Sequence, residues 1–559
     1  MRANPRTTKL ARVAAVALGA ATLLSAASAD AFCGFYVGGA DHKLFNNATQ
    51  VVLMRDGTRT VLSMQNNYQG PPEAFALVVP VPVVLQKDNV KTLARDVFDR
   101  VDQLGAPRLV EYWEQDPCWR PPRPRPGRGR AEKASAPPAP AAAAAAEDRG
   151  VKIEAQYTVG EYEIVILSAK DASGLDTWLR EAKYSIPEGA SAYLKPYVER
   201  GSKFFVAKVD PTKVKFEGGM ATLSPLRFHY DDETFALPIR LGLMNADKAQ
   251  DLIVSILARS QRYEVANYPN VTIPTNLDVA ERAREEFGSF YAALFDRTLE
   301  KNPKAVVTEY AWATGTCDPC PGPAMGPNDL VTLGGDVLPG VDCSDPYVKG
   351  DSPYKQYRPE CQPWMRYRDF VITRLHARYT KESLGEDLVF KKADAIVGGR
   401  EIRKGDGSLE HGATTAPQNN FQARYAIRHP WTGPVACANP RRGVWGGPPH
   451  TDGTHQAPPK PAAARNLAFA PRGKTSLASY VRSDIPELGT KGDPDTATVS
   501  GVSSSGKSEH KGRSRCGCRV PGGDVGSTAP AGVALGLAAA LTARVSRRRR
   551  AARDDRRRG

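Results

Sequence analysis

Histidine is scarce in this chain of 559 residues, which contains eight. The sequence also contains no H-E-x-x-H and no G-x-S-x-G. These patterns supply the metal ligands of zinc peptidases and the nucleophile of many serine hydrolases. Their absence removes the local support for both classes, and the sequence predicts no catalytic residue and no cofactor.

The net charge of +15 is not spread over the chain. Basic residues concentrate in 1–29, 120–133 and 544–559, and the remainder is close to neutral. A protein that binds the nucleic-acid backbone gathers its bases on one folded face. Because these three segments have the composition of terminal or linker sequence, we predict no nucleic-acid partner.

The N-terminus has the pattern of a secretory signal. Arg2, Arg6, Lys9 and Arg12 precede the apolar run VAAVALGAATLLSAA, and small residues follow it. A basic region, an apolar region and a small-residue cleavage site in this order are typical of signal peptides. We therefore predict a signal peptide over 1–29 and an exported mature protein.

Nine cysteines are present, of which Cys516 and Cys518 belong to the C-terminal segment. An exported protein reaches an oxidising compartment, where disulfides persist. The other seven are disulfide candidates, but an odd number leaves one without an internal partner, and the pairing stays open. The candidates are Cys33, Cys118, Cys317, Cys320, Cys343, Cys361 and Cys437.

The C-D-P-C motif at Cys317 to Cys320 has three interpretations. Cys343 and Cys361 would complete four sulfurs for a structural zinc, but zinc ribbons use two close pairs and these two are separated by 17 residues. A redox-active pair would open a helix, which the following Pro-Gly-Pro does not continue. We favour a disulfide.

Composition divides the chain into segments, because Pro/Ala-rich and Ser/Gly-rich stretches behave as linkers. The predicted segments are the signal peptide 1–29, the first β-rich part of the exported domain 30–118, a Pro/Arg/Ala-rich linker 119–150, the main α+β part of the same domain 151–437, a Pro/Gly/Ser-rich stalk 438–515 with a docking helix at 475–488, and a C-terminal sorting signal 516–559.

The predicted fold class is α+β, with mixed or antiparallel sheets and packed helices, since strands and helices interleave without a regular strand–helix–strand order. The domain forms one large lobe or two closely associated lobes split by the linker. Asp56-Gly57 predicts a hairpin. Apolar spacing predicts helices over 89–105, over 108–116 and from Leu277 to before Pro303. Pro80 and Pro82 favour a sheet edge.

Two groups of polar residues are the weak candidates for chemistry. H-Y-D-D places His229 beside Asp231 and Asp232 for acid–base or metal work, although a half-exposed strand histidine is the simpler interpretation. His42 and His376 also fall in segments predicted to fold. A turn-rich loop offers oxygens for calcium but lacks the regular spacing and distal Glu of a calcium loop, so we favour a solvated loop. Its acids are Asp336, Asp342, Asp345 and Asp351.

The stretch FCGFYVGGADHKLFNNATQVVLMRDGTRTVLSMQ and the later CANPRRGVWGGPP resemble an uncharacterised bacterial family, number 2330 in the domain-of-unknown-function series. The resemblance spans about 32–449, apart from the linker. It implies an exported envelope protein and brings no established activity, ligand or catalytic residue.

Cys516-Gly517-Cys518, a Gly/Pro spacer, an apolar run and an Arg cluster look like the MYXO-CTERM sorting signal of myxobacterial surface proteins. That resemblance implies removal of the tail by a sorting protease and retention at the cell surface through lipid, with Cys516 or Cys518 as the new end. The unbroken apolar run 531–543 spans roughly 20 Å, less than a bilayer core of about 30 Å. An apolar segment of this length suits a transient halt in the membrane during export and is too short for a permanent membrane anchor.

These observations favour a surface-displayed envelope protein with a binding or structural role. Its expected partners are the export machinery, the sorting protease and outer-membrane or cell-surface lipid. The first alternative is a secreted hydrolase or redox enzyme acting on envelope or extracellular polymer, through His229 and Asp231 or through Cys317 and Cys320. The second is a calcium-dependent adhesin that uses the Asp loop.

Overall fold

Strands dominate the part of the chain that the computed structural model describes. The described residues are 35–37, 49–65, 68–69, 76–118, 151–182, 184, 186, 188–217, 220–245, 250–339, 347–348, 356–357, 369–380, 383–402, 409–410, 412–448, 461–463 and 476–493. The predicted signal peptide, linker and sorting signal lie outside them, as do Cys33, Cys343, Cys361, Cys516 and Cys518.

Most strands are short, and the longest have ten residues. In chain order they are β1 (Phe35–Val37), β2 (Thr49–Asp56), β3 (Arg59–Gln65), β4 (Tyr68–Gln69), β5 (Ala76–Val81), β6 (Val90–Thr92), β7 (Arg108–Glu114), β8 (Val151–Val159), β9 (Tyr162–Ala169), β10 (Lys203–Val209), β11 (Lys215–Glu217), β12 (Met220–Thr222), β13 (Leu226–Asp231), β14 (Ala236–Leu237), β15 (Gln250–Arg259), β16 (Arg262–Val265), β17 (Asn270–Thr272), β18 (Leu277–Asp278), β19 (Val306–Ala313), β20 (Tyr347–Val348), β21 (Gln356–Tyr357), β22 (Phe370–Tyr379), β23 (Leu388–Ala393), β24 (Ile396–Gly398), β25 (Thr414–Thr415), β26 (Asn420–Gln422), β27 (Arg424–His429), β28 (Trp445–Gly446) and β29 (Pro461–Ala463).

Five α-helices accompany these strands in the described part: α1 (Asp96–Gly105), α2 (Ala172–Glu181), α3 (Ala190–Glu199), α4 (Phe287–Lys301) and the short α5 (Pro327–Leu330). The start of α2 follows directly from the sequence, because Asp171 Oδ1 accepts a hydrogen bond from the backbone N–H of Gly174 at 2.7 Å. A side-chain oxygen at this position satisfies a backbone donor that the helix itself leaves unpaired.

A large mixed sheet runs in the order β25-β24-β26-β19-β22-β15-β2-β3-β13-β6, with β17 beside β19. A five-stranded antiparallel sheet, β1-β5-β10-β9-β8, packs against it. Smaller sheets are β18-β27-β7-β28 with β29 also on β7, β14-β23-β16, β11-β12-β4 and β20-β21. The α+β class is confirmed, with mixed and antiparallel sheets and packed helices.

The two larger sheets are buried on both faces. Along β2, Val51 and Leu53 point into the core between the sheets, whereas Val52 and Met54 point to the opposite face, which α1 covers. Helices α2 and α3 cover the outer face of the five-stranded sheet. Because side chains alternate along a strand, burial of both faces demands the near-continuous apolar runs seen in β2 and β5.

The hairpin predicted at Asp56-Gly57 is confirmed. Strands β2 and β3 pair antiparallel, and Asp56 lies opposite Arg59 across a two-residue turn. Gly57 has a φ of +56°, which a residue with a Cβ adopts only at a cost. The turn thus explains why glycine stands here.

The sheet-edge position predicted from Pro80 holds for the second half of strand β5 and not for its first half. Strand β5 lies between β1 and β10, but β1 pairs only with Ala76 to Val78. Beyond Val78, β10 is the only described neighbour of the strand. A proline lacks the N–H that a second neighbour would need, so it fits at this point.

Three predicted helices differ from the structure. Residues Val90–Thr92 form β6 on the large sheet, so α1 begins only at Asp96. In the segment 108–116, Arg108–Glu114 form strand β7, which pairs in parallel with β27. The long helix predicted from Leu277 begins at Phe287, because Leu277–Asp278 pairs with β27 instead. In each case a strand distant in sequence supplies backbone partners that a local pattern does not reveal.

Strands that precede the predicted linker pair with strands that follow it, so both parts of the chain contribute to the same sheets. Strand β7 pairs with β27, β5 with β10, and β3 with β13. Cys118 and Cys437 form a disulfide at the end of the first of these pairs. Among the described residues, no helix is both long enough and apolar enough to cross a membrane.

The sequence predicts a docking helix over 475–488, of which the structure describes 476–488. These residues form two short 3-10 turns, Leu477–Ser479 and Pro486–Leu488, in place of one continuous helix. Tyr480, Val481 and Ile485 are buried against α4 and its sheet. The segment therefore packs onto the body through side chains spaced along an irregular backbone.

Candidate binding cleft

A cleft of about 570 Å³ opens between the five-stranded sheet with its helix α3 and the strands β13, β14 and β23. Its size falls within the usual range of ligand pockets, roughly 300–1,000 Å³. The lining residues are Pro80, Val81, Pro82, Val83, Tyr197, Arg200, Ser202, Tyr230, Asp231, Asp232, Thr234, Ala236, Pro238, Arg240, Asn267, Glu386, Asp387 and Val389.

Asp387 is a buried carboxylate in the wall of this cleft, with 6% of its surface exposed. Its Oδ1 accepts three hydrogen bonds, from Tyr197 Oη at 2.6 Å, Ile239 N at 2.9 Å and Arg240 N at 3.3 Å. Burial and the charge of Asp387 raise the pKa of Tyr197 well above its usual value, so its hydroxyl donates. A buried carboxylate needs such donors to offset its lost hydration.

Arg240 lies beside Asp387 at the same wall. Its Nη2 is 3.6 Å from Glu386 Oε1, but Glu386 is 69% exposed, so this ion pair is screened and weak. The buried Nε of Arg240 finds no hydrogen-bond acceptor among the described residues. A buried donor without a partner is costly, and this one belongs to a side chain that lines the cleft.

The turn at Asn267 and Tyr268 fixes the segment that carries Glu386 and Asp387 through four hydrogen bonds. The amide of Asn267 donates to Asp387 O at 2.8 Å and accepts from Val389 N at 3.1 Å. The Tyr268 hydroxyl donates to Glu386 O at 3.0 Å and accepts from Glu386 N at 2.8 Å. These four hydrogen bonds hold the wall in place before any ligand arrives.

The structure pairs His229 and Asp231 with different residues. Asp231 bonds Arg59 through both carboxylate oxygens, at 2.8 and 2.9 Å. His229 Nε2 lies 3.1 Å from the amide nitrogen of Asn89, and burial, followed by the charges of Arg59 and Arg227, lowers the pKa of His229. The neutral imidazole accepts from Asn89, while Asp231 lines the cleft and His229 does not.

Asp336 is the described member of the Asp loop, and it is engaged by two cations. Arg227 Nη2 lies 2.8 Å from Asp336 Oδ1, and Lys91 Nζ lies 3.0 Å from Oδ2. No group of three metal-ligating side chains occurs within the described ranges. Asp342, Asp345, Asp351 and His42 lie outside those ranges, so the calcium and zinc hypotheses gain no ligand from the structure.

A second polar group lies at the centre of the fold. Arg374 Nη1 contacts Asp102 Oδ1 at 2.6 Å and its Nε contacts Glu309 Oε2 at 2.7 Å. His376 Nδ1 lies 2.7 Å from Glu309 Oε1, and Nε2 lies 3.3 Å from Asp251 Oδ1, without hydrogen-bond geometry. These five residues, Asp102, Asp251, Glu309, Arg374 and His376, are the buried ionic cluster; it joins α1, β15, β19 and β22.

Within the buried ionic cluster, opposite charges shift the pKa values of Glu309 and His376 in the direction that favours their charged forms. Burial by itself would raise the pKa of Glu309. The charges of His376 and Arg374 and the hydrogen bonds from His376 and Tyr291 outweigh it and lower that pKa to about 2. Burial would lower the pKa of His376, but Glu309 and Asp251 raise it above its usual value. Because all five side chains are almost fully buried, this cluster ties elements together and offers no entry to a ligand.

The sequence predicts His376 in a folded segment, but it predicts neither the partners of His376 nor the cleft. One signal was available: Arg374, His376 and Arg378 alternate along a strand that is otherwise apolar, so they share one face. Asp387 and Arg240 give no local signal, since they come together only through β14 and β23.

The fold and the cleft define an α+β domain with a polar, preformed pocket between sheets. The family described as "Uncharacterized protein conserved in bacteria (DUF2330)" matches residues 27–391, and the chain belongs to this family. The match ends before Pro449, where the resemblance seen in the sequence ended, yet it includes every residue that lines the cleft. No curated protein and no solved structure matches the chain.

Proposed function

We propose that this protein is exported, displayed on the cell surface and binds a polar, hydroxyl-rich ligand of the carbohydrate class in the cleft. The observation that carries this proposal is the preformed wall of the cleft. It holds the buried Asp387 and the Nε of Arg240, which has no acceptor among the described residues. Binding, and not a reaction, is the role that this wall supports.

The ligand class follows from the groups that line the cleft. Carboxylates, two guanidinium groups, an amide and hydroxyls offer donors and acceptors of both kinds, and Tyr197 and Tyr230 add rings. Two arginines and four acidic residues line the cleft, and one of the acids, Asp231, is already paired with Arg59. A neutral ligand with many hydroxyls satisfies both kinds of group, whereas a strongly charged ligand meets groups of its own sign.

Export and display rest on the two ends of the chain. The N-terminal pattern of a signal peptide and the C-terminal Cys-Gly-Cys, apolar and Arg pattern support secretion, tail removal and lipid attachment. The disulfide between Cys118 and Cys437 is compatible with an oxidising compartment. The export machinery, a sorting protease and surface lipid are the proposed partners.

Binding is tested with the full chain and a panel of neutral, acidic and aminated oligosaccharides, by calorimetry. Arg200→Ala removes a guanidinium from the cleft. The matched control, Arg180→Ala, removes one from α2, where Arg180 pairs with Asp176 outside the cleft. A hydrogen bond from a charged group contributes about 1.5–3 kcal/mol, so Arg200→Ala should weaken binding at least about tenfold. No binding by the parent, or equal loss in both variants, would refute the proposal.

Display is tested by cell fractionation and intact-mass analysis of the surface-exposed protein. The expected mature chain lacks residues 1–29 and ends at Cys516 or Cys518. Recovery of the protein in the cytoplasm, or of residues 531–559 on the surface form, would contradict this part of the proposal.

A further inference from the structure

The loop after β19 presents a disulfide between Cys317 and Cys320. The two sulfurs differ in their surroundings: Cys320 is exposed, whereas Cys317 is half-buried and packs against the apolar cluster of α1, β19 and β22. A thiolate from solvent therefore reaches the sulfur of Cys320 first. Access of this kind is a main determinant of which disulfide sulfur is attacked.

The loop is held in shape by contacts other than the disulfide. Its backbone carbonyls accept hydrogen bonds from three side chains on three elements. Gln422 donates to Asp318 O, Arg108 to Pro319 O at 3.0 Å, and Gln103 to Pro321 O at 3.1 Å. Arg108 and Gln422 are fully buried, so these donors belong to the rigid body of the fold. Breaking the disulfide leaves this scaffold in place.

The second described disulfide, Cys118–Cys437, has the opposite character. It joins residues separated by 319 positions, whereas Cys317 and Cys320 are separated by three. A cross-link over a long stretch of chain constrains the unfolded state far more than one over a few residues. Reduction of Cys317–Cys320 therefore removes little stability from the fold.

We propose that the Cys317–Cys320 disulfide is a redox-active site that oxidises a dithiol from solvent, while Cys118–Cys437 is structural. A thiolate of the dithiol attacks the sulfur of Cys320, a mixed disulfide forms, and the electron pair of the broken bond passes to the sulfur of Cys317. The second thiol of the substrate then attacks the mixed disulfide and displaces the Cys320 thiolate. The substrate leaves oxidised, and its two protons and two electrons remain on Cys317 and Cys320.

The first test equilibrates the full chain in glutathione buffers of graded redox ratio, alkylates the free thiols and locates them by peptide mass. We expect Cys317 and Cys320 to be reduced with an equilibrium constant at least tenfold larger than that of Cys118–Cys437, a difference of about 30 mV. The far-ultraviolet circular dichroism should stay unchanged when only this pair is reduced. Reduction of both disulfides together, reduction of Cys118–Cys437 first, or loss of structure with the first pair would overturn the proposal.

The second test uses two single variants that expose one thiol each. Cys317→Ser leaves the exposed Cys320, and Cys320→Ser leaves the half-buried Cys317. With an aromatic disulfide reagent, the Cys320 thiol should form a mixed disulfide at least about tenfold faster than the Cys317 thiol. Equal rates, or the reverse order, would refute attack at Cys320. The redox titration of the parent chain decides the proposal even if one variant does not fold.

Discussion

Replacement of Arg374 by methionine tests whether the buried ionic cluster is an ionised structural unit. The side chain is 2% exposed and contacts Asp102 at 2.6 Å and Glu309 at 2.7 Å, and these two are at most 4% exposed. Methionine keeps much of the volume but removes the positive charge. Two carboxylates would then be buried without their main cation.

The expected loss follows from the burial of those carboxylates. Removal of one partner from a buried ion pair costs about 3–5 kcal/mol, because the other charge stays buried and uncompensated. Arg374 also packs on α1, where a Cβ added at Gly105 would lie 3.4 Å from its Cδ, so space for another side chain is small. We expect Arg374→Met to lower the free energy of unfolding by about 3–5 kcal/mol.

Denaturant unfolding, followed by circular dichroism and by tryptophan fluorescence, measures this loss. The matched control is Arg180→Met on α2. Its pair with Asp176 is partly exposed, so the change should alter stability by at most about 0.5 kcal/mol. Adding Asp102→Asn to Arg374→Met should restore part of the loss, because one stranded charge is removed. Equal midpoints for the Arg374 and Arg180 variants would refute the reasoning.

Three further predictions concern pH, packing and the hairpin. The pKa of Glu309 is lowered to about 2 from an ordinary 4.5, so its contribution to stability is complete above pH 4.5 and is lost as pH falls towards 2. The pKa of His376 is raised above 6.5, so its contribution is complete below pH 6.5 and is lost as pH rises through the raised value. Denaturant midpoints should therefore be highest between about pH 4.5 and 6.5, and an unchanged pH profile in Glu309→Gln would contradict this origin. Tyr480→Ala should cost about 3–5 kcal/mol in urea unfolding, because this fully buried ring packs on Phe290, and a loss below about 1 kcal/mol would show that the 476–493 segment does not stabilise the body. Gly57→Ala should cost about 1–2 kcal/mol by thermal unfolding, since the turn requires a φ of +56°, and an unchanged midpoint would contradict that requirement.

Local patterns predicted elements well where the partner strand is also near in sequence. The β2–β3 hairpin follows from its turn residues, and α1 and α4 follow from apolar spacing, although both helices begin later than predicted. The prediction was wrong at 108–116, where β7 bonds β27, a strand more than 300 residues later. Leu109, Val110 and Tyr112 fit a helix face and a buried strand about equally, and only the distant strand decides between them.

The candidate cleft shows the same limit more strongly. Asp387, Tyr197 and Arg240 come from three separate segments, and no spacing in the chain links them. By contrast, the exposed disulfide was visible as a C-D-P-C motif, because its members are three residues apart. The sequence could not show that Cys320 is open to solvent while Cys317 rests on the core.

The sequence by itself determined the features that depend on neighbouring residues. These are the α+β class, the hairpin, most of helices α1 and α4, the family resemblance and the two terminal patterns from which export is proposed. The tertiary structure alone decided which carboxylates are buried, which cations meet them and where a cleft opens. The physical reason is that burial and charge pairing depend on distance in space, and the sheets bring together residues that lie hundreds of positions apart in the chain.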